Sequence, residues 1–181
     1  MKTIFFLMMF ILLSIQTFSQ YSTLHDFSIH TIDGKSYNLS QLKGKKVLIV
    51  NTASECSLDG QIQKLQELYE EYGGEDFEII AFPSNDFGNH EPGSNEEILE
   101  RYIDKYEFSF PLMGKISVKG EDAHPLYQWL TDSEKNGTLD ANVLWNFQKF
   151  LIDEEGRVIE SISPLGSPTK KRIIEWLQED M

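Results

Sequence analysis

The sequence predicts an α/β fold: a central mixed sheet flanked by helices, with an N-terminal β-hairpin. A run of consecutive apolar residues over 47–50 is typical of a strand in the middle of a sheet that is covered on both faces. Residues 61–72 then show helical spacing of apolar side chains, and a second apolar strand follows over 77–82. A strand, a helix and a strand in this order predict a parallel pair with a right-handed crossover.

The N-terminal hairpin is predicted by two short strands around a turn. Residues 27–32 alternate apolar and polar, and residues 35–39 form the second strand. The pair Asp33-Gly34 between them is a strong signal for a tight β-turn. After the helix over 61–72, Gly73-Gly74 predicts a stop.

The second half of the chain predicts further helices and an antiparallel hairpin. Ser94 and Glu97 form a capping box at the start of a helix that ends near residue 106. The remaining predicted elements are a loop over 84–93, extended pieces over 110–113 and 116–118, a helix over 125–130, a turn at 136–137, strands over 145–152 and 157–162, and a final helix capped by Ser167 with Pro168 in its first turn.

The first 19 residues are predicted to be a secretory signal peptide. Lys2 precedes an apolar run over 4–15, which is too short to cross a bilayer as a helix, and small residues lie near a cleavage site after Ser19 or Gln20. The alternative is an uncleaved N-terminal anchor. With cleavage, residues 20–181 form one domain that is exported to the periplasm or secreted, with no stable membrane insertion.

Charge and composition exclude several functions. The formal net charge of −13 excludes a generic nucleic-acid binder and disfavours binding to an anionic membrane surface. The four histidines lack the spacing of a metal site, so no metal is expected. Cys56 is the only cysteine, so neither an internal disulfide nor a CxxC redox pair is available.

Cys56 lies where the predicted buried strand passes into a helix. Unpaired backbone N–H groups and the positive end of the helix dipole are expected there, and such a setting raises the thiolate fraction of a cysteine. The alternative is that Cys56 is a small buried apolar residue without chemistry.

Four segments, in order, resemble the conserved segments of the glutathione peroxidases. They are Val50-Asn-Thr-Ala-Ser-Glu-Cys56, Phe82-Pro-Ser-Asn-Asp-Phe-Gly88 with Glu91-Pro-Gly-Ser-Asn95, Gly120-Glu-Asp-Ala-His-Pro-Leu-Tyr127, and Trp145-Asn-Phe-Gln-Lys-Phe-Leu151. The similarity extends from about residue 27 to the last helix. It implies a thioredoxin-like fold and a thiol peroxidase that reduces hydrogen peroxide or organic hydroperoxides without a bound cofactor.

The resemblance also implies a set of site residues. Cys56 matches the nucleophile that attacks the peroxide and becomes a sulfenic acid, while Trp145 and Asn146 match hydrogen-bond donors to the reactive sulfur. The fourth position is normally glutamine and is Asp86 here, and Ser84 stands where a cysteine is usual. If Asp86 faces the sulfur as that glutamine does, two acids would repel each other; the alternative is that Asp86 is a loop residue that faces water. We expect Asn146 to lie near the surface.

The resemblance further implies an external reductant. Many cysteine-containing members carry a resolving cysteine in the helix after the second segment, and this chain has none. A thiol from outside, either glutathione or a thioredoxin-like protein, must therefore reduce the sulfenic acid. The alternative function is a peroxidase-like domain without efficient turnover that serves in redox sensing or binding.

Overall fold

A computed structural model describes residues 22–179, and a mixed four-stranded sheet lies at its centre. The predicted signal peptide lies outside the described residues. The strands are β1 (Ser28–His30), β2 (Ser36–Asn38), β3 (Lys46–Thr52), β4 (Phe77–Pro83), β5 (Lys149–Ile152) and β6 (Val158–Ile162), and the helices are α1 (Gly60–Tyr72), α2 (Asn95–Tyr106), α3 (Pro125–Leu130), α4 (Ser133–Asn136) and α5 (Lys171–Gln178).

The sheet confirms the predicted α/β architecture. Its order is β4-β3-β5-β6, with β3 parallel to β4 and antiparallel to β5. All seven residues of β3 are buried, as expected for a strand with both faces covered. The predicted N-terminal hairpin is present as β1 and β2, which form a separate two-stranded sheet.

Each face of the sheet packs against its own apolar layer. Leu48 and Val50 of β3 point into a layer built with α1, α2 and α5. Val47 and Ile49 point the other way, into a layer that contains α3 and the β1–β2 hairpin. The alternation follows from the period of two in a strand, so β3 joins the two halves of the core.

Two predicted boundaries and one predicted turn are wrong in detail. The strand predicted over 145–152 begins only at Lys149, because Phe147 takes a left-handed φ of 70° and the chain turns there. Helix α5 begins at Lys171, because the hydroxyl of Ser167 accepts the N–H of Thr169 in a local turn instead of capping a helix. Helix α4 was not predicted; it ends at Asn136, so the first residue of the expected turn is helical, and Gly137 follows the helix with a left-handed φ of 79°.

In the part of the chain from residue 22 to residue 179, no helix has both the length and the apolar character needed to cross a membrane.

Lys149 of β5 is a fully buried lysine. Its Nζ donates to Oε1 of Gln61 at 2.5 Å and to the carbonyl oxygens of Gly166 at 2.6 Å and Pro164 at 3.4 Å. The lysine therefore ties the sheet to the first turn of α1 and to the loop before α5. Burial, together with the charge of Lys170, lowers the pKa of Lys149 to about 7.

We expect Lys149 to make the free energy of unfolding increase with pH. A lysine in an unfolded chain titrates near pH ~10.4, so between about pH 7 and that value the unfolded chain binds one proton more than the folded chain at this site. The slope is then up to about 1.4 kcal/mol per pH unit. Urea unfolding of wild type and Lys149→Met at several pH values between about 7 and ~10.4 measures this slope. Lys64→Met, on the exposed side of α1, is the control. Equal slopes in wild type and Lys149→Met would contradict the expectation.

Candidate active site

Cys56 lies in the loop between β3 and α1, here called the nucleophile loop (residues 53–59). The side chain is 3% exposed, and Sγ accepts the N–H of Leu58 at 3.5 Å. Among residues 22–179, this is the only hydrogen bond to the sulfur. The sequence led us to expect unpaired backbone N–H groups at the start of α1. Two of these groups are paired, because the N–H groups of Gln61 and Ile62 donate to carbonyl groups of the nucleophile loop at 2.9 and 2.8 Å.

A buried carboxylate holds the nucleophile loop in place. Glu91 is completely buried, and it accepts the N–H of Ser54 at 2.8 Å and the hydroxyl of Ser54 at 2.6 Å. Arg101 of α2 pairs with the same carboxylate at 3.2 Å. Burial raises the pKa of Glu91, and its bonds with Ser54 and Arg101 oppose that rise.

Helix α2 provides further contacts to the nucleophile loop and to the strand before it. The hydroxyl of Tyr102 donates to Oγ1 of Thr52 at 2.6 Å, and the hydroxyl of Tyr106 donates to the carboxylate of Asp59 at 2.9 Å. Lys105 forms a salt bridge with Asp59 at 2.5 Å. Burial acts against ionisation of Asp59, but the bonds from Lys105 and Tyr106 hold its pKa below the ordinary value. Its negative charge is thus matched by a lysine close by.

Trp145 and Asn146 lie beside the end of β3. The side chain of Asn51 donates to the carbonyl of Trp145 at 3.2 Å, and the N–H of Phe147 donates to the carbonyl of Asn51 at 2.7 Å. The indole of Trp145 is 40% exposed and packs against Phe87 with ring centroids 5.4 Å apart. The left-handed φ of Phe147 is a strained conformation for a non-glycine residue, of the kind that clusters at functional sites.

The side chain of Asn146 is fully buried, so the expectation that it lies near the surface is wrong. The turn at Phe147 directs it inward, where Nδ2 donates to the carbonyl of Phe87 at 3.4 Å and lies 3.4 Å from Nδ1 of His90. Oδ1 is also buried and accepts no hydrogen bond from the described residues.

Asp86 makes its contacts away from the sulfur. One carboxylate oxygen accepts the N–H of Val118 at 2.6 Å and the hydroxyl of Ser117 at 3.0 Å. Ser84 contacts Asp86 through its hydroxyl, which accepts the backbone N–H at 3.5 Å. The carboxylate therefore anchors the segment around residue 118, and neither Asp86 nor Trp145 nor Asn146 forms a hydrogen bond with Sγ in this structure.

The loop over residues 84–93, here called the second loop, joins these groups to the nucleophile loop. His90 contacts the Asn146 amide and the edge of the Trp145 indole, and its carbonyl accepts the N–H of Glu55 at 3.0 Å. Its neighbour Glu91 holds Ser54. Sequence reasoning missed both residues as site residues, although Glu91 lies in the second segment of the family resemblance and His90 lies in the gap between the two parts of that segment.

No group of three or more His, Cys, Asp or Glu side chains within residues 22–179 is placed to hold a metal ion. The polar groups of Trp145, Asn146 and His90 are an indole, an amide and an imidazole. They are suited to hydrogen bonding with a sulfur or an oxygen.

Comparison with known proteins identifies relatives of this site and fold. The family model described as glutathione peroxidase matches residues 24–131. A glutathione peroxidase homolog BsaA of Staphylococcus epidermidis is 46% identical over 146 residues, which cover 81% of this chain and 92% of the relative. The crystal structure of Trgpx in its apo form superposes with a TM-score of 0.66 at 38% identity, covering 87% of this chain and 96% of that chain.

A more distant structure supports the fold alone. The thiol:disulfide interchange protein of the thioredoxin family from Chlorobium tepidum is 19% identical and superposes with a TM-score of 0.60, covering 88% of this chain and 97% of that chain. The thioredoxin-like fold expected from the sequence is thereby confirmed.

Proposed function

The chain belongs to the glutathione peroxidase family, and we propose that it reduces hydrogen peroxide or organic hydroperoxides through the thiolate of Cys56. The observation that carries the proposal is the placement of this single cysteine. It lies at the end of a buried central strand, with a backbone N–H directed at its sulfur and its loop held by Glu91. A backbone donor to sulfur favours the thiolate, which is the reacting form.

The proposed reaction begins with attack on the peroxide. The thiolate of Cys56 attacks one peroxide oxygen, the O–O bond breaks, and the other oxygen leaves as hydroxide or alkoxide. The cysteine becomes a sulfenic acid. The indole N–H of Trp145, for which no described residue is an acceptor, and the Asn146 amide are the donors proposed to stabilise charge on the sulfur and the leaving oxygen.

An external thiol completes the proposed cycle. Because Cys56 is the only cysteine, one thiol must form a mixed disulfide with the sulfenic acid and release water, and a second thiol must then restore the cysteine. Glutathione and a thioredoxin-like protein are both candidates. The net charge of −13 disfavours the anionic glutathione, and peroxide consumption measured with each donor in turn distinguishes them.

We expect Cys56→Ser to abolish peroxide turnover while leaving the fold intact, because the two side chains differ little in size. Mass spectrometry of wild type after one equivalent of peroxide should show one added oxygen and no intramolecular disulfide. Stopped-flow oxidation of Cys56 provides the rate. A second-order rate constant no higher than that of free cysteine would favour the alternative, a redox-sensing or binding domain without efficient turnover.

We expect Trp145→Phe to slow oxidation of Cys56 and Asp86→Asn to leave it nearly unchanged. Losing one donor to developing charge costs up to about 10²-fold in rate, whereas the Asp86 carboxylate already binds Val118 and Ser117. Stopped-flow oxidation of both variants tests this, with Leu144→Ala as a control for the loss of exposed apolar surface next to Trp145. A faster Asp86→Asn variant would indicate that Asp86 faces the sulfur during the reaction.

We also propose that the protein is exported and acts in the periplasm or outside the cell. The support is the apolar run over residues 4–15 behind Lys2. We expect protein recovered from outside the cytoplasm to begin at Gln20 or Tyr21. N-terminal sequencing that finds Met1 retained would contradict cleavage.

A further inference from the structure

Asn51 is a fully buried residue of β3 that bonds to the turn carrying both proposed donors. Its side-chain Nδ2 donates to the carbonyl of Trp145 at 3.2 Å, and its own carbonyl accepts the N–H of Phe147 at 2.7 Å. The first bond holds the peptide group before Asn146, and the second bond holds the peptide group after it. Asn51 therefore contacts the backbone on both sides of Asn146.

These two bonds determine where the side chain of Asn146 points. A peptide group is planar, so the orientations of the two groups that flank a residue define its φ and ψ. With both groups bonded to Asn51, the direction of the Cα–Cβ bond of Asn146 is set, and its side chain is fully buried. The α-carbon of Trp145 belongs to the first of these peptide groups, so the bond to its carbonyl also restrains the start of the indole side chain.

The stability of the fold does not explain the amide of Asn51. Val47 and Ile49 precede it on the same face of β3, and both are buried apolar residues. Among the described residues, the bond to Trp145 is the only hydrogen bond of the Asn51 side chain, and its buried Oδ1 accepts none. A buried polar atom without a partner lowers stability, whereas an apolar side chain of the same shape does not. The side chain is therefore better suited to hold the turn than to stabilise the core.

We propose that Asn51 is a positioning residue, whose side-chain amide holds the Trp145–Asn146 peptide group and thereby keeps both donors in place for the reaction at Cys56. Strand β3 continues from Asn51 into the nucleophile loop, so one strand carries the cysteine and the contact to the donors. The effect on Cys56 oxidation rests on the proposed function, whereas the effect of Asn51 on the backbone of the turn does not. A substitution leaves the backbone bond to Phe147 available, so variants test the side chain alone.

Asn136 provides a matched control. Like Asn51, it is a buried asparagine whose Nδ2 donates to a tryptophan carbonyl, that of Trp129 at 2.8 Å. Unlike Asn51, it has further partners, because Nδ2 also donates to the carbonyl of Leu139, and Oδ1 accepts the N–H groups of Thr138 and Leu139, all at 2.8 Å. It lies in α4, which contains no proposed site residue. We expect Asn136→Leu to lower the free energy of unfolding without slowing oxidation of Cys56.

The effect of Asn51 on the turn can be measured without any peroxide. In NMR spectra of the isotope-labelled protein, loss of the hydrogen bond should move the carbonyl carbon signal of Trp145 to lower frequency in Asn51→Leu and in Asn51→Ala. The indole N–H signal of Trp145 should move as well, while those of Trp129 and Trp176 should keep their wild-type positions. Trp145 signals that coincide with wild type in both variants would overturn the proposal, whatever the activity of the protein.

Stopped-flow oxidation of Cys56 tests the consequence for the reaction. We expect Asn51→Leu to be slower than wild type by up to about 10²-fold, because small displacements of groups at a reacting centre cost as much. Its free energy of unfolding, measured in urea, should stay at or above that of wild type. In a Trp145→Phe/Asn146→Ala background, Asn51→Leu should cause little further loss of rate, because both donors that it positions are already gone.

The outcomes separate this inference from the proposed function. Wild-type rates in both Asn51→Leu and Asn51→Ala, or an equal loss of rate with and without the two donors, would show that Asn51 does not act through them. A loss of rate that Asn136→Leu shares would show that reduced stability is the cause. If wild-type Cys56 reacts no faster than free cysteine, the proposed function fails, and the NMR comparison alone still decides whether Asn51 holds the turn.

Discussion

The geometry of the site depends on the hydrogen bonds that the buried carboxylate of Glu91 accepts from Ser54 and Arg101. A carboxylate without exposure is stable only if its oxygens are hydrogen-bonded, and the N–H and hydroxyl of Ser54 together with Arg101 supply those bonds. Because Cys56 follows Ser54 by two residues, the hydrogen bonds to Glu91 also fix the position of Cys56. The hydrogen-bonding requirement of this buried carboxylate thereby connects the second loop, helix α2 and the nucleophile loop.

The turn at Phe147 has a comparable effect on the position of Asn146. Phe147, which follows Asn146, has a left-handed φ, so the regular pairing of β5 does not extend back to Asn146. The Asn146 amide points inward there and is fully buried. Such a left-handed conformation costs on the order of 1–3 kcal/mol. It is held by the hydrogen bond from the N–H of Phe147 to the carbonyl of Asn51 in β3. The pairing of this turn with β3 thus maintains the strained backbone at Phe147.

The acidic side chains Asp59 and Asp86, which lie near Cys56 in the sequence or in the family motifs, have partners of their own. Asp59 forms a salt bridge with Lys105, and Asp86 binds the N–H of Val118 and the hydroxyl of Ser117. A negative charge matched by a cation or by donors repels a neighbouring thiolate less than a free one does. Asp86 therefore anchors the segment around residue 118, while His90 is the side chain found beside Trp145 and Asn146.

The sequence by itself determined the layout of the protein, because the repeat of apolar residues distinguishes strands from helices and the single Cys56 allows no redox partner within the chain. The mixed sheet, the parallel β3–β4 pair and the hairpin of β5 and β6 all followed from such patterns. Only the tertiary structure decided that Asp86 binds Val118, that Asn146 is buried, and that His90 meets the donors. The reason is physical: a polar side chain takes the best partner within a few ångströms, and those partners come from segments far apart in the chain.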